Sequence, residues 1–75
     1  MDTQLLGTQT LISVVIPTYN RERFIKRAVS SVLSQTHQLF EIIIIDDGST
    51  DRTSEVVSSL MSIDDRIKYI QQDRN

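Results

Sequence analysis

The chain has no cysteine, no tryptophan, one histidine, one proline and two glycines in 75 residues. Without cysteine there is neither a disulfide scaffold nor a thiolate zinc site, and a single histidine excludes a histidine-rich metal cluster. The scarcity of proline and glycine, with 39% hydrophobic and 24% charged residues, excludes collagen-like, low-complexity and wholly disordered classes. A basic excess is also missing: the net charge is −2 and the isoelectric point near 5.1. A nucleic-acid-binding domain, whose affinity rests on cations facing phosphates, is therefore not expected. No apolar run approaches the roughly 18 residues of a membrane span. Residues 1–10 carry Asp2 where a secretory signal needs Lys or Arg, so they read as a loose leader and the chain as cytoplasmic.

What remains is one small α/β unit over residues 11–75. Leu11, Ile12, Val14, Val15 and Ile16 form a β-branched run closed by Pro17, a first strand over about 11–17. Phe24, Ile25, Ala28, Val29, Val32 and Leu33 recur at spacings of three and four, one stripe of a helix between Arg21 and Thr36. Phe40 and Ile42 to Ile45 make a nearly unbroken apolar run, which predicts a central strand over 40–46 covered on both faces. Asp46-Asp47-Gly48-Ser49-Thr50-Asp51 supplies turn chemistry, with Asp51 placed for the positive end of a second helix over 51–62. Asp64-Asp65-Arg66 reads as a solvated turn, and Ile67 to Gln71 as a half-exposed third strand. Right-handed crossovers then give a βαβαβ half of a doubly wound parallel sheet, three layers deep, with strand order 3-2-1. In that order the first strand is an unprotected edge, and the isolated chain is expected either to self-associate through it or to be marginally stable and aggregation-prone.

Ligands of open parallel sheets bind beyond the carboxyl ends of the strands. Those ends carry Pro17-Thr18-Tyr19-Asn20 and Asp46-Asp47-Gly48-Ser49. Neither the G-x-G-x-x-G nor the G-x-x-x-x-G-K-[ST] phosphate cradle is present. Tyr19 either covers the core edge or offers a face on which a base can stack, and a carboxylate from the neighbouring strand end can accept an N–H from a pyrimidine edge, a pair suited to uracil. Asn20 is expected to fix its loop through side-chain to backbone bonds. His37 has no assigned chemistry. Arg21, Arg23, Lys26 and Arg27 could face a diphosphate but read better as a solvated helix face. Asp46 has a plain alternative role as a cap or turn anchor.

Ile12 to Asn20 (ISVVIPTYN), Ser34-Gln35-Thr36 and Ile42 to Asp51 (IIIIDDGSTD) together resemble the amino-terminal part of the family-2 inverting glycosyltransferases. The resemblance implies a GT-A fold and a nucleotide-diphosphate sugar as donor, with UDP as the nucleotide. It implies that the Pro17-Thr18-Tyr19 loop embraces the base, that Tyr19 stacks on it, that Asp47 accepts its ring N–H, and that Glu22 joins the same pocket. Arg74-Asn75 resembles the start of a segment that approaches ribose and diphosphate. The complete enzyme is expected to use Mn²⁺ or Mg²⁺ on a later D-x-D motif and a later carboxylate as general base, neither of which lies in these residues. The acceptor, a glycan or lipid-linked glycan, is open, as is an inner-membrane-face location for the complete enzyme. The chain alone is expected to be inactive: a piece of a longer enzyme, a truncated reading frame or a trimmed chain. Two other classes stand beside this one. A non-catalytic nucleotide-binding or interaction module fits the absence of a catalytic half. A receiver-like signalling domain fits an Asp-Asp pair after an Ile-rich strand, but receivers carry that pair on the first strand, and here that strand ends in Pro17-Thr18-Tyr19.

Overall fold

The computed structural model describes residues 10–73; most of the expected leader, and Arg74-Asn75, lie outside the described residues. The elements follow in the order β1 (Ile12–Thr18), α1 (Glu22–Leu33), β2 (Phe40–Asp46), α2 (Thr53–Ile63) and β3 (Ile67–Gln71). The strands form one parallel sheet in the order β1-β2-β3, with Ile12 opposite Phe40 and Ile42 opposite Ile67. This is the expected 3-2-1 sheet seen from the other side. α1 starts one residue later and ends three earlier than its pattern, and α2 starts two residues later and ends one later. Ser34, Gln35 and Thr36 lie beyond α1, because the Gln35 N–H turns back to the Val32 carbonyl and ends the regular ladder. α2 starts at Thr53 because Asp51 stays outside and accepts the Thr53 N–H at 2.9 Å.

The expectation of three layers, with β2 covered on both faces, is overturned. Ile25 and Val29 of α1, and Val57 and Leu60 of α2, pack into one core with Phe40, Ile42 and Ile44. Both helices therefore cover the same face. Two right-handed crossovers that step across the sheet in the same direction must place their helices on the same side. Along β2 burial alternates, with Phe40, Ile42, Ile44 and Asp46 buried while Glu41, Ile43 and Ile45 are only half-buried. On the other face Val15 is 52% and Ile70 47% exposed. The run Ile42 to Ile45 is apolar on both sides, but these elements cover one.

The amino ends of the strands are closed by polar contacts. Arg66 sets its guanidinium 4.1 Å from the centroid of the Phe40 ring and donates to the Gln38 carbonyl at 2.8 Å. Its other donors grip Asp64 as a fork, Nε to Oδ1 at 3.0 Å and Nη2 to Oδ2 at 2.7 Å. The turn read as solvated is thus a clamp between the entry to β3 and the entry to β2. His37 Nε2 lies 3.1 Å from the Thr10 carbonyl and 3.0 Å from that of Leu39, tying the chain at the starts of β1 and β2. Among the described residues no helix is long and apolar enough to cross a membrane.

Two outcomes follow. β1 is an edge strand whose Val15 adjoins an open apolar face, and such edges recruit further strands. The 75-residue chain should associate with rising concentration in sedimentation experiments; a monodisperse monomer at high micromolar concentration would refute this. Asp64 is held down to about 2, chiefly by its hydrogen bond from Arg66, against an unfolded value of about 3.9. A carboxyl depressed in the folded state contributes stability above its unfolded pKa and loses it as pH falls through the folded value. Unfolding midpoints should therefore fall between about pH 4 and pH 2, and less steeply in Asp64→Asn.

Candidate functional site

The carboxyl ends of β1 and β2 are joined by a dense polar network, and its first member is a buried acid. Asp46, the last residue of β2, is only 1% exposed. Its Oδ1 accepts the Ser49 N–H at 2.8 Å and its Oδ2 accepts the Tyr69 hydroxyl from β3. Burial pushes the Asp46 carboxyl up, but the hydrogen bonds from Ser49 and Tyr69 outweigh it, and the group lies below its ordinary value. Burial and the adjacent carboxylate push the Tyr69 hydroxyl up to about 12. The turn closes through Gly48, whose φ of 87° is in the left-handed region that a side chain would oppose. Asp46 is the turn anchor of the plain reading.

Asp47 differs from its neighbour because successive residues leave a strand on opposite sides. Asp46 lies on the helix-covered side; Asp47, one residue on, is exposed in a cleft of about 520 Å³. Pro17, Thr18, Tyr19 and Ile45 line the same cleft, with Tyr19 37% exposed. Four of the five residues named from sequence thus share one cleft. Glu22 does not line it; its Oε1 accepts the Arg52 N–H at 3.1 Å, at the start of α2. Arg21, read from sequence as part of a solvated helix face, and Gln72, which was not named, complete the lining. Gln72 could have been found, since it directly follows the carboxyl end of β3; its N–H donates to the Asp46 carbonyl at 2.8 Å. Arg21 was submerged in a basic run, three of whose members, Arg23, Lys26 and Arg27, are exposed on α1. Thr18 Oγ1 is buried without a hydrogen-bond partner, a loss of about 1–3 kcal/mol at the cleft's edge.

The two loops that frame the cleft cap each other's helices. Neither helix has a side-chain cap from its own N-cap residue, Arg21 or Arg52. Asp51 Oδ2 instead accepts the Glu22 N–H at 3.3 Å, Thr53 Oγ1 accepts the Arg21 N–H at 3.2 Å, and Glu22 returns a bond to Arg52. Asp51 lies below its ordinary value, first through the Thr53 hydroxyl, which donates at 2.5 Å. Asn20 fixes a loop as expected, although it is the opposite one: Oδ1 accepts the N–H groups of Thr50 at 2.8 Å and Asp51 at 3.2 Å.

These commitments bear on metal binding. Among the described residues no three His, Cys, Asp or Glu side chains converge. Asp46 and Asp51 already accept from Ser49, Tyr69, Glu22 and Thr53, and adjacent Asp46 and Asp47 leave the strand on opposite sides. The donor set does not fit a divalent ion, for which several oxygens must converge.

The chain is similar in fold and in sequence to known proteins. A mannosyltransferase from Pyrobaculum calidifontis, solved with GDP-Man and Mn²⁺, superposes with a TM-score of 0.70 at 21% identity, over 85% of this chain and 19% of that one. An uncharacterized glycosyltransferase of Rickettsia conorii is 54% identical over 63 residues, 84% of this chain and 10% of that protein. Glycosyltransferase GlyG of Streptococcus pneumoniae is 43% identical over 63 residues, 84% of this chain and 21% of its own length. A Campylobacter jejuni GalNAc(5)-diNAcBac-PP-undecaprenol beta-1,3-glucosyltransferase is 45% identical over 58 residues, 77% of this chain and 19% of that protein. The chain thus spans about a fifth or less of these proteins. With the glycosyl transferase family 2 model matching residues 13–75, the chain belongs to that family.

Proposed function

We propose that this chain is the nucleotide-binding part of an enzyme that transfers a sugar from a UDP-sugar to an acceptor hydroxyl with inversion at the anomeric carbon. The observation that carries this reading is the meeting of Tyr19 and Asp47 in one cleft. The Tyr19 ring gives a base a face to stack on, and the Asp47 carboxylate accepts the ring N–H that uracil presents between its two carbonyls. Pro17 and Ile45 supply apolar walls, and the Arg21 guanidinium brings positive charge for a diphosphate. Transfer then needs a general base on the acceptor and ligands for Mn²⁺ or Mg²⁺, both supplied by residues other than those described here. The named relatives support sugar transfer as the class; one of them acts on an undecaprenol-linked glycan, which supports a lipid-linked or glycan acceptor and a membrane-face site for the complete enzyme.

Calorimetry with UDP, CDP and GDP tests the base. Cytosine presents an unprotonated ring nitrogen to Asp47 and should bind at least about tenfold more weakly, about 1.4 kcal/mol. Asp47→Asn should erase the preference. Equal affinities, or an unchanged preference in Asp47→Asn, would remove Asp47 from base reading, and tighter binding of GDP would reassign the base to guanine.

Metal dependence is a second check. With one cleft carboxylate and no converging donors, Mn²⁺ should change UDP affinity for this chain by less than about threefold. A larger gain would mean that Asp46 and Asp47 rearrange to hold the ion.

A further inference from the structure

We propose that Asn20 is a positioning residue that sets the spacing between the two walls of the cleft without touching the ligand. The proposal rests on the nucleotide reading of the cleft. Asn20 stands directly after Tyr19 and is not among the residues lining the cleft. Its φ of 49° is the one positive value at a non-glycine position among the described residues. Glycine would take that conformation at lower cost, and asparagine is among the few side chains that tolerate it. What asparagine adds is a carboxamide, and its oxygen receives two N–H groups from the facing loop, Thr50 at 2.8 Å and Asp51 at 3.2 Å. Its own N–H donates to Ser49 Oγ at 2.8 Å. Three bonds from one residue thus bind the Tyr19 loop to the loop that begins with Asp47.

The left-handed backbone explains how one residue makes all three. A loop entering α1 from β1 has to turn sharply after Tyr19, and the turn at Asn20 brings its N–H and its side-chain oxygen onto the Ser49-Thr50-Asp51 segment together. On the far side the wall is anchored as well, since Ser49 N–H is held by Asp46 and the Asp47 N–H by the Thr18 carbonyl at 3.0 Å. The Asp47 N–H ties the two loops where they leave the strands and the exchanged caps tie them where they enter the helices, so the Asn20 bonds set the loop separation in the stretch between. A base sandwiched against Tyr19 while its edge meets Asp47 needs that separation already set, because ordering it on binding would lower affinity.

The test uses the full chain with Asn20→Gly, which keeps the backbone conformation and removes only the carboxamide. UDP affinity, read by calorimetry, should fall about tenfold or more. Amide hydrogen exchange, read residue by residue by NMR, should quicken at Thr50 and Asp51 and at Asp47, while Ile42, Ile44 and Val57 in the core stay protected. Unchanged affinity with unchanged loop exchange overturns the proposal. So does a loss of affinity accompanied by an equal loss of core protection, the mark of a merely stabilising residue. If the unaltered chain binds none of the three nucleotides, the function proposed above fails. The brace is then judged by exchange alone: selective quickening at Asp47, Thr50 and Asp51 upholds it, and its absence refutes it.

Discussion

A carboxylate buried at the carboxyl end of the central strand is the constraint on which the functional end of this fold depends. An unpaired charge in that position would cost several kcal/mol, so Asp46 fixes what surrounds it. The Tyr69 hydroxyl must come from β3, which aligns that strand at its far end. The Ser49 N–H must come from the turn, which sets the path of the chain out of β2. Tyr69 is held protonated by the same contact, since burial and the neighbouring anion both oppose its ionisation. The geometry of Asp47, one residue later, is a consequence of satisfying Asp46.

The second constraint is the supply of partners for two helix N-termini that lie side by side. Each helix starts with N–H groups that have no partner inside it, and neither N-cap residue, Arg21 or Arg52, supplies a side-chain cap. Exchange solves this: Asp51 reaches the start of α1, Glu22 the start of α2, and Thr53 accepts from Arg21. Acidic groups there also meet the positive ends of both helix dipoles. The exchange requires both helices to sit on one face of the sheet, and the same-direction crossovers put them there. Fold topology and loop chemistry therefore support each other, and a change at either loop is felt by both helices.

Strand order, the five elements and most of the cleft were legible because they follow from local periods and from motifs at strand ends. The covered face was not. Ile42 to Ile45 is apolar on both sides, and an apolar run records that a face can be buried without recording whether these elements bury it. The Asp64–Arg66 clamp was hidden because the other partners of Arg66, the Phe40 ring and the Gln38 carbonyl, lie 26 and 28 residues away in the chain. Glu22 was legible as an acid near a loop, but its partner, the Arg52 N–H, comes from the start of the neighbouring helix. Asn20 was read correctly as a loop-fixing residue, and only the tertiary fold says which loop. Local chemistry survives in the sequence, and partnership does not.

The adjacent aspartates illustrate how far elementary geometry can go. Two neighbouring carboxylates suggest a shared task, such as gripping one cation. Side chains on a strand alternate with a period of two, so residues 46 and 47 cannot both face the same side at a strand end without a bulge, and the register shows none between Ile12–Thr18 and Phe40–Asp46. One of the pair must belong to the covered face and the other to the open one. Phe40, Ile42 and Ile44 share the parity of Asp46 and carry the core, which makes Asp46 the structural acid; Ile45 has the opposite parity and lines the cleft with Asp47. The division of labour between a buried anchor and an exposed acceptor is thus fixed by which isoleucines the helices cover.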